Sequence, residues 1–196
     1  MKSKLPIVIV ALALVVFILV VGAAPRGSTP IESTGNMENM SANGEGRFAY
    51  LSTHGNSACS LNFQNGIPAM ADEERIQGSC CSPMSLHRYE EQIEAIKKYK
   101  DISEIPPDPY DVSGDIAKKM YAYYDTPLSP DEQVAYDYAM AHSHEKGPCC
   151  CKCWHWIVYG GLGKFLIHEK GFTGEQVTEV WDLSDACGGD EEHNHA

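Results

Sequence analysis

The feature that most constrains this 196-residue chain is a stretch that places four thiols and an imidazole within seven residues, from Cys149 to His155. Four thiols this close cannot all pair with one another, because a disulfide needs Cα atoms roughly 4.4–6.8 Å apart and a narrow dihedral angle. Soft metal ions meet no such obstacle, since copper(I), zinc and iron–sulfur clusters prefer thiolate ligands. The stretch therefore predicts a thiolate metal site.

A helix is predicted directly behind these thiols. Its apolar residues recur at spacings of three and four and stop at Gly171: Trp154, Ile157, Val158, Leu162, Phe165 and Leu166. The thiols then lie at a helix N-terminus, where unpaired N–H groups, the helix dipole and the cation of Lys152 favour the thiolate form. Gly160, Gly161 and Gly163 each cost about 1 kcal/mol against alanine. We therefore expect another backbone or a bulky ring to pack closely against this part of the helix.

An apolar run of 20 residues from Leu5 to Ala24 follows Lys2 and Lys4. As a helix it would span about 30 Å, the thickness of the hydrocarbon core of a bilayer. The run is a membrane anchor or a signal peptide, and its length favours the anchor, because signal h-regions usually have about 7–15 residues. The positive-inside rule places the rest of the chain outside the cytoplasm, either tethered to the membrane or secreted if the run is cleaved.

The exported part is strongly acidic. Without Lys2 and Lys4, 13 basic residues face 27 acidic ones, a formal charge of −14. Such a surface repels nucleic acid and anionic lipid and attracts cations, so the sequence predicts no nucleic-acid partner.

The chain divides into four parts: a span at residues 1–24, a flexible Gly/Ser/Asn-rich tether at 25–46, a Cys-rich helical domain at 47–189 and an acidic tail with His193 and His195 at 190–196. The predicted fold class is mainly α, with the four thiols in the connection of a helix hairpin. Phe48–Leu51 is predicted to be a short strand or an extended apolar anchor.

Three further helices are predicted before the thiols, and one after them. The first has Ser82 as N-cap, reaches about Lys100 and turns Leu86, Tyr89, Ile93 and Ile96 inward. The second covers residues 112–124. The third begins at a capping box, Ser129 with Glu132, reaches His144 and turns Val134, Tyr138 and Ala141 inward. The last follows Thr173 and Gln176 and buries Val177, Val180 and Trp181.

Four more cysteines complete the count of eight: Cys59, Cys80, Cys81 and Cys187. The pair Cys80-Cys81 repeats the arrangement of thiols just ahead of a helix. The four thiols of Cys149, Cys150, Cys151 and Cys153 are called the main group. Among the other cysteines, Cys187 is the first choice for a remote sulfur that joins them. Because an exported chain is exposed to oxidants, these four could instead form disulfides.

The segment YDYAMAHSHEKGPCCCKC, which ends at Cys153, resembles the bacterial PCYCGC-motif (lipo)protein family, in which a helix rich in Tyr, Ala and His leads into P-C-Y-C-G-C. The matching residues are Pro148, Cys149, Cys151 and Cys153. Cys150 stands where the family has Tyr, and Lys152 where it has Gly. The resemblance covers roughly Pro130 to Cys187 and implies an exported protein that binds heavy metals. This chain departs from the family's usual lipid anchor, since no cysteine directly follows the apolar run.

The resulting hypothesis is a membrane-tethered extracytoplasmic domain that binds a soft metal for sequestration or for delivery to an acceptor protein. Copper(I) is preferred to zinc or mercury(II), because two or three close thiolates satisfy it, whereas zinc requires four ligands in a tetrahedral arrangement. The expected ligands are Cys149, Cys150, Cys151 and Cys153, completed by one or more of Cys80, Cys81, Cys187 and His155.

Two alternatives stay open. The pair Cys150 and Cys153 forms a C-x-x-C that could serve a thiol–disulfide oxidoreductase, although no thioredoxin-like βαβ pattern precedes it. The other alternative is a disulfide-stapled domain that binds a protein through its acidic face.

Overall fold

The computed structural model describes residues 44–189. Within this range the protein is mainly α-helical, as predicted, with seven α-helices and one two-stranded sheet. The apolar run Leu5–Ala24, the predicted tether up to residue 43 and the tail 190–196 lie outside the described residues. Between residues 44 and 189, no helix is long and apolar enough to cross a membrane.

The elements follow one another along the chain with short connections. They are α1 (Gly44–His54), α2 (Leu61–Gly66), β1 (Arg75–Gln77), α3 (Leu86–Ile96), β2 (Asp111–Ser113), α4 (Gly114–Tyr123), α5 (Pro130–His142), α6 (Trp154–Lys170) and α7 (Gly174–Leu183). Short 3-10 turns follow α2 at Ile67–Ala69 and α3 at Lys97–Tyr99. The strands are antiparallel, with Ile76 opposite Val112.

Helix α6 forms the centre of the core and packs against α4, α5 and α7. Its glycines lie where other groups approach closely, as predicted. A Cβ atom at Gly161 would lie 1.9 Å from the carbonyl oxygen of Met120 in α4. At Gly160 it would lie 2.8 Å from the ring of Tyr124, and at Gly163 2.6 Å from the ring of Trp181. The glycines therefore set how closely the neighbouring elements approach α6.

We expect Gly161→Ala to destabilise the fold by about 2–3 kcal/mol, because the new methyl group meets a backbone atom that can only yield by moving α4. Chemical denaturation of the reduced, metal-free protein measures this loss. Gly66→Ala is the matched control, since Gly66 is also helical and has nothing within 4 Å of its Cβ position. The control should gain up to about 1 kcal/mol from helix propensity. Equal effects of the two substitutions would contradict the close contact of α4 with α6.

The predicted caps of α5, α6 and α7 are confirmed, but the predicted N-cap Ser82 of α3 and the predicted inward face of α5 are wrong. Capping boxes begin α5 at Ser129 and α7 at Thr173, and Gly171 ends α6 in a left-handed conformation. In α5, Val134 is 70% exposed and Tyr138 is also exposed, whereas Tyr136 and Ala139 are buried. The ring of Tyr136 packs edge-on against Trp181 of α7, with ring centroids 5.5 Å apart. Both faces of α5 carry apolar residues, so their spacing alone pointed to the wrong one.

The prediction of extended structure at Phe48–Leu51 is wrong, because these residues lie within α1. The helix is fixed by Arg47, whose guanidinium binds the buried carboxylates of Asp108 at 2.7 Å and Asp111 at 2.5 Å. Leu51 is buried on the same side of the helix. A single inward-facing strip suits a helix on the surface of the core.

Two other predicted helices begin later than expected. Helix α3 starts at Leu86 rather than at Pro83, because the carbonyl oxygen of Pro83 accepts a hydrogen bond from Gly189. The predicted helix 112–124 starts at Gly114, because residues 111–113 form β2 instead.

Candidate metal centre

All eight cysteines of the chain meet at one place, although they come from four separate segments. Cys59 lies just before α2, and Cys80 and Cys81 lie between β1 and α3. The four thiols of the predicted main group lie in the connection between α5 and α6, as expected for a hairpin connection, with Cys153 as the N-cap of α6. Cys187 follows α7. All eight are free thiols in the structure.

The eight Sγ atoms, called the sulfur cluster below, form a continuous path. Neighbouring sulfurs along it lie 3.0–3.9 Å apart. The order is Cys59, Cys151, Cys81, Cys80, Cys153, Cys149, Cys187 and Cys150. Each sulfur therefore contacts at least one other, and sulfurs of the α5–α6 connection lie beside those of all three other segments.

The sulfur cluster contains five overlapping triads, each with three Sγ atoms within 4.8 Å of one another. The triads are Cys59/Cys151/Cys153, Cys80/Cys81/Cys187, Cys80/Cys149/Cys153, Cys81/Cys150/Cys151 and Cys149/Cys150/Cys187. Cys59 belongs to one triad, and each of the other seven cysteines belongs to two. The arrangement thus offers several three-sulfur sites that share ligands.

The sulfur cluster is buried at one end and open at the other. The inner sulfurs, defined as those of Cys149, Cys153 and Cys187, belong to residues that are 0%, 3% and 5% exposed. The outer sulfurs, those of Cys59, Cys81 and Cys150, belong to exposed residues, and Cys80 and Cys151 lie between the two sets. A metal ion from solvent would therefore meet the outer sulfurs first.

His155 joins two of the segments that carry the inner sulfurs. Its ring is fully buried, with Nδ1 3.1 Å from the carbonyl oxygen of Pro148 and Nε2 2.9 Å from that of Ser184. The ring also stacks on Tyr159, with centroids 3.9 Å apart. Pro148 immediately precedes Cys149, and Ser184 lies shortly before Cys187. His155 thus helps to bring these two cysteines together.

Backbone hydrogen bonds fix the segment of Cys80 and Cys81 against that of Cys187. The amide N–H of Cys80 donates to Ala186 O at 3.3 Å, and that of Ser82 donates to Cys187 O at 2.8 Å. Gly188 lies so close that an added Cβ would be 2.1 Å from Ser82 O, and its φ of +79° also favours glycine. The loop of Cys80 and Cys81 is therefore held in a fixed position relative to the loop of Cys187.

The position of Cys187 is supported from outside the sulfur cluster. The side chain of Gln92 donates to Asp185 O at 2.7 Å, and Arg88 pairs with the Asp185 carboxylate at 2.9 Å. That carboxylate in turn accepts the amide N–H of Cys187 at 3.1 Å. Helix α3 thus orients the loop of Cys187.

The segment of Cys59 is held by α6 and β1. The indole N–H of Trp154 donates to Ser57 Oγ at 3.0 Å, and the amide N–H groups of Asn56 and Ser57 both donate to Gln77 O. The side chain of Ser60 then caps α2. These contacts position Cys59 with its Sγ 3.0 Å from that of Cys151.

Ionisation is uneven among the inner sulfurs. Cys149 forms hydrogen bonds with Cys153 and with Cys187. These bonds lower the pKa of Cys153 and of Cys187 well below the usual range of a thiol, and they raise the pKa of Cys149. The ammonium of Lys152 lies 5.6 Å from the ring centroid of Trp156. Hydrogen bonds among the thiols are therefore the largest influence on which inner sulfur loses its proton first.

The predicted cysteine ligands are brought together, but His155 points elsewhere. Both of its ring nitrogens lie within hydrogen-bonding distance of carbonyl oxygens, and burial lowers its pKa. His155 therefore supports the sulfur cluster, and its ring nitrogens do not lie among the cysteine sulfurs that could bind a metal.

Cys59 was not among the predicted ligands. It lies 92 residues from Cys151, and neither its spacing nor its loop context linked the two. The available signal was the count of eight cysteines, which the structure gathers completely.

Comparison of the chain with models of protein families, with curated proteins and with solved structures gave no match.

Proposed function

We propose that the protein is a membrane-tethered, extracytoplasmic soft-metal-binding protein that sequesters copper(I) or delivers it to an acceptor protein. The observation that carries this proposal is the convergence of eight thiols from four segments into five triads. Packing alone does not require this, since buried cysteines behave as small hydrophobic residues and need no sulfur neighbours. Thiolate-rich sites are those that soft metals prefer.

The geometry favours copper(I) over zinc. Each group in the sulfur cluster offers three sulfurs, which suits an ion satisfied by two or three thiolates, whereas structural zinc requires four ligands in a tetrahedron. Mercury(II) also binds thiolates and is the remaining alternative. The excess of acidic residues in the chain would attract cations toward the outer sulfurs.

The location rests on the sequence. Lys2 and Lys4 before the apolar run Leu5–Ala24 support a single-pass anchor with the domain on the extracytoplasmic side. The resemblance of the segment ending at Cys153 to exported PCYCGC-motif proteins points the same way. In this position the protein would capture metal before it enters the cell or after it is exported.

Metal titration with thiol counting tests the proposal. The full chain, reduced and kept anaerobic, is expected to bind copper(I) against a competing chelator and to lose reactive thiols as copper is added. Parallel titrations with zinc and mercury(II) establish which metal is preferred.

The two alternatives predict different results in a thiol count before reduction and in an assay of disulfide reduction. A disulfide-stapled domain would show no reactive thiols before reduction and no bound metal. An oxidoreductase would catalyse reduction of a disulfide substrate and lose that activity in Cys150→Ser and in Cys153→Ser. Either result would overturn the proposed function.

A further inference from the structure

We propose that the sulfur cluster holds one polynuclear copper(I)–thiolate cluster, in which several ions are bridged by shared cysteine sulfurs. This inference rests on the proposed function and goes further, because it specifies that several ions bind and that shared sulfurs connect them. A protein that held one copper ion, or several independent ones, would have the same proposed function without this property.

Sharing of ligands is built into the positions of the thiols. Seven of the eight cysteines belong to two triads each, so an ion in one triad uses sulfurs that also face a neighbouring triad. For example, the Sγ atom of Cys149 lies 3.0 Å from that of Cys187 and 3.8 Å from that of Cys153, which belong to different triads. Ions in adjacent triads would therefore be joined through a common thiolate. With one ion in each three-sulfur site, the five triads would hold at most five ions.

Charge compensation favours several ions over one. The inner sulfurs are almost fully buried, and a buried thiolate is costly unless a cation compensates it. Lys152, the nearest lysine in sequence, directs its ammonium to the ring of Trp156. One copper(I) ion in a triad would leave most of the thiolate charge uncompensated. Additional ions that share the same sulfurs reduce this excess negative charge.

Loading requires no redox step. Each S–H bond releases its proton to solvent as an S–Cu bond forms, and copper remains in the +1 state throughout. The exposed Cys59, Cys81 and Cys150 would receive ions first, and sulfurs shared along the path connect them to the inner end. Because each added ion positions ligands for the next, loading is expected to be cooperative.

Native mass spectrometry and X-ray absorption test the inference on the reduced, anaerobic full chain loaded with copper(I). We expect several ions per chain, up to five, with metal-free and fully loaded forms dominating partial titrations. The absorption spectrum should show copper in a sulfur-only shell together with a copper–copper scattering path. One ion per chain, or several ions without that path, would overturn the polynuclear cluster and leave the proposed function intact. Failure to bind any copper would refute both.

Two single substitutions test ligand sharing directly. Cys59 and Cys81 are both exposed, so replacing either with serine should leave the fold intact, as circular dichroism can verify. Cys59→Ser breaks one triad and Cys81→Ser breaks two, so the second should lose about twice as much copper capacity as the first. Equal losses would contradict the shared arrangement.

Discussion

Replacing Cys81, Cys150 and Cys153 together with serine is expected to remove all tightly held copper(I). Every one of the five triads contains at least one of these three residues, so no complete three-sulfur site would remain. Any residual copper would be held by two sulfurs at most, so it should be lost to a chelator strong enough to strip two-thiolate sites but too weak to strip the intact cluster. Elemental analysis of the anaerobically loaded protein after chelator treatment measures this loss.

A triple variant of the same size provides the matched control. Replacing Cys59, Cys151 and Cys153 with serine removes the same number of thiols but leaves the triads Cys80/Cys81/Cys187 and Cys149/Cys150/Cys187 complete. This control should retain part of the copper. If both triple variants behave alike, binding depends on the number of thiols rather than on their grouping.

A second control concerns the tail. His193 and His195 lie outside the described residues, and their imidazoles are harder ligands than thiolates. Replacing both with alanine should leave tightly bound copper unchanged. If this change removes the metal, the sulfur cluster is not the binding site.

Local sequence patterns predicted much of the fold. The three- and four-residue spacing from Trp154 to Leu166 located α6, and Ser129 and Thr173 located the starts of two other helices, because capping depends on residues only a few positions apart. The glycines in α6 predicted close contacts correctly, since a helix tolerates their cost when something must pack there. All of these features depend on residues that lie within one or two helical turns of one another.

Features that depend on distant contacts were not predictable in the same way. The start of α3 was misplaced because the carbonyl oxygen of Pro83 is bound by Gly189, which is far away in the chain. The extended structure expected at Phe48–Leu51 is a helix because Arg47 binds Asp108 and Asp111 of the loop before β2 and of β2 itself. No local pattern encodes such pairings.

The candidate site also has one part that local sequence predicted and another that depends on distant contacts. Crowding of Cys149–Cys153 indicated a thiolate site from the sequence alone, because so many adjacent thiols have no simple packing role. Which remote sulfurs join them is decided by tertiary contacts, such as the hydrogen bond from Trp154 to Ser57 that positions the segment of Cys59. The role of His155 also depended on the fold, since only the structure shows which atoms its ring nitrogens face.

The position of His155 leads to a second large expected effect: His155→Ala should destabilise the metal-free protein by about 3–5 kcal/mol. The substitution removes a fully buried ring, leaves a cavity beside Tyr159 and takes away the N–H donor of whichever carbonyl oxygen, Pro148 O or Ser184 O, the neutral ring binds. Because these carbonyls lie next to the segments of Cys149 and Cys187, copper(I) binding should weaken as well. Denaturant titration of the reduced protein measures the loss of stability.

His142→Ala is the matched control for that substitution. The His142 ring also stacks on a tyrosine, Tyr138, at 3.9 Å and lies 2.7 Å from a carbonyl oxygen, but it is exposed. Its removal should change stability by no more than about 0.5 kcal/mol. X-ray absorption then separates support from ligation: copper in wild type and in His155→Ala should have the same sulfur-only shell. If wild-type copper shows a nitrogen neighbour that His155→Ala removes, while stability changes as little as in His142→Ala, then His155 is a ligand and not a support.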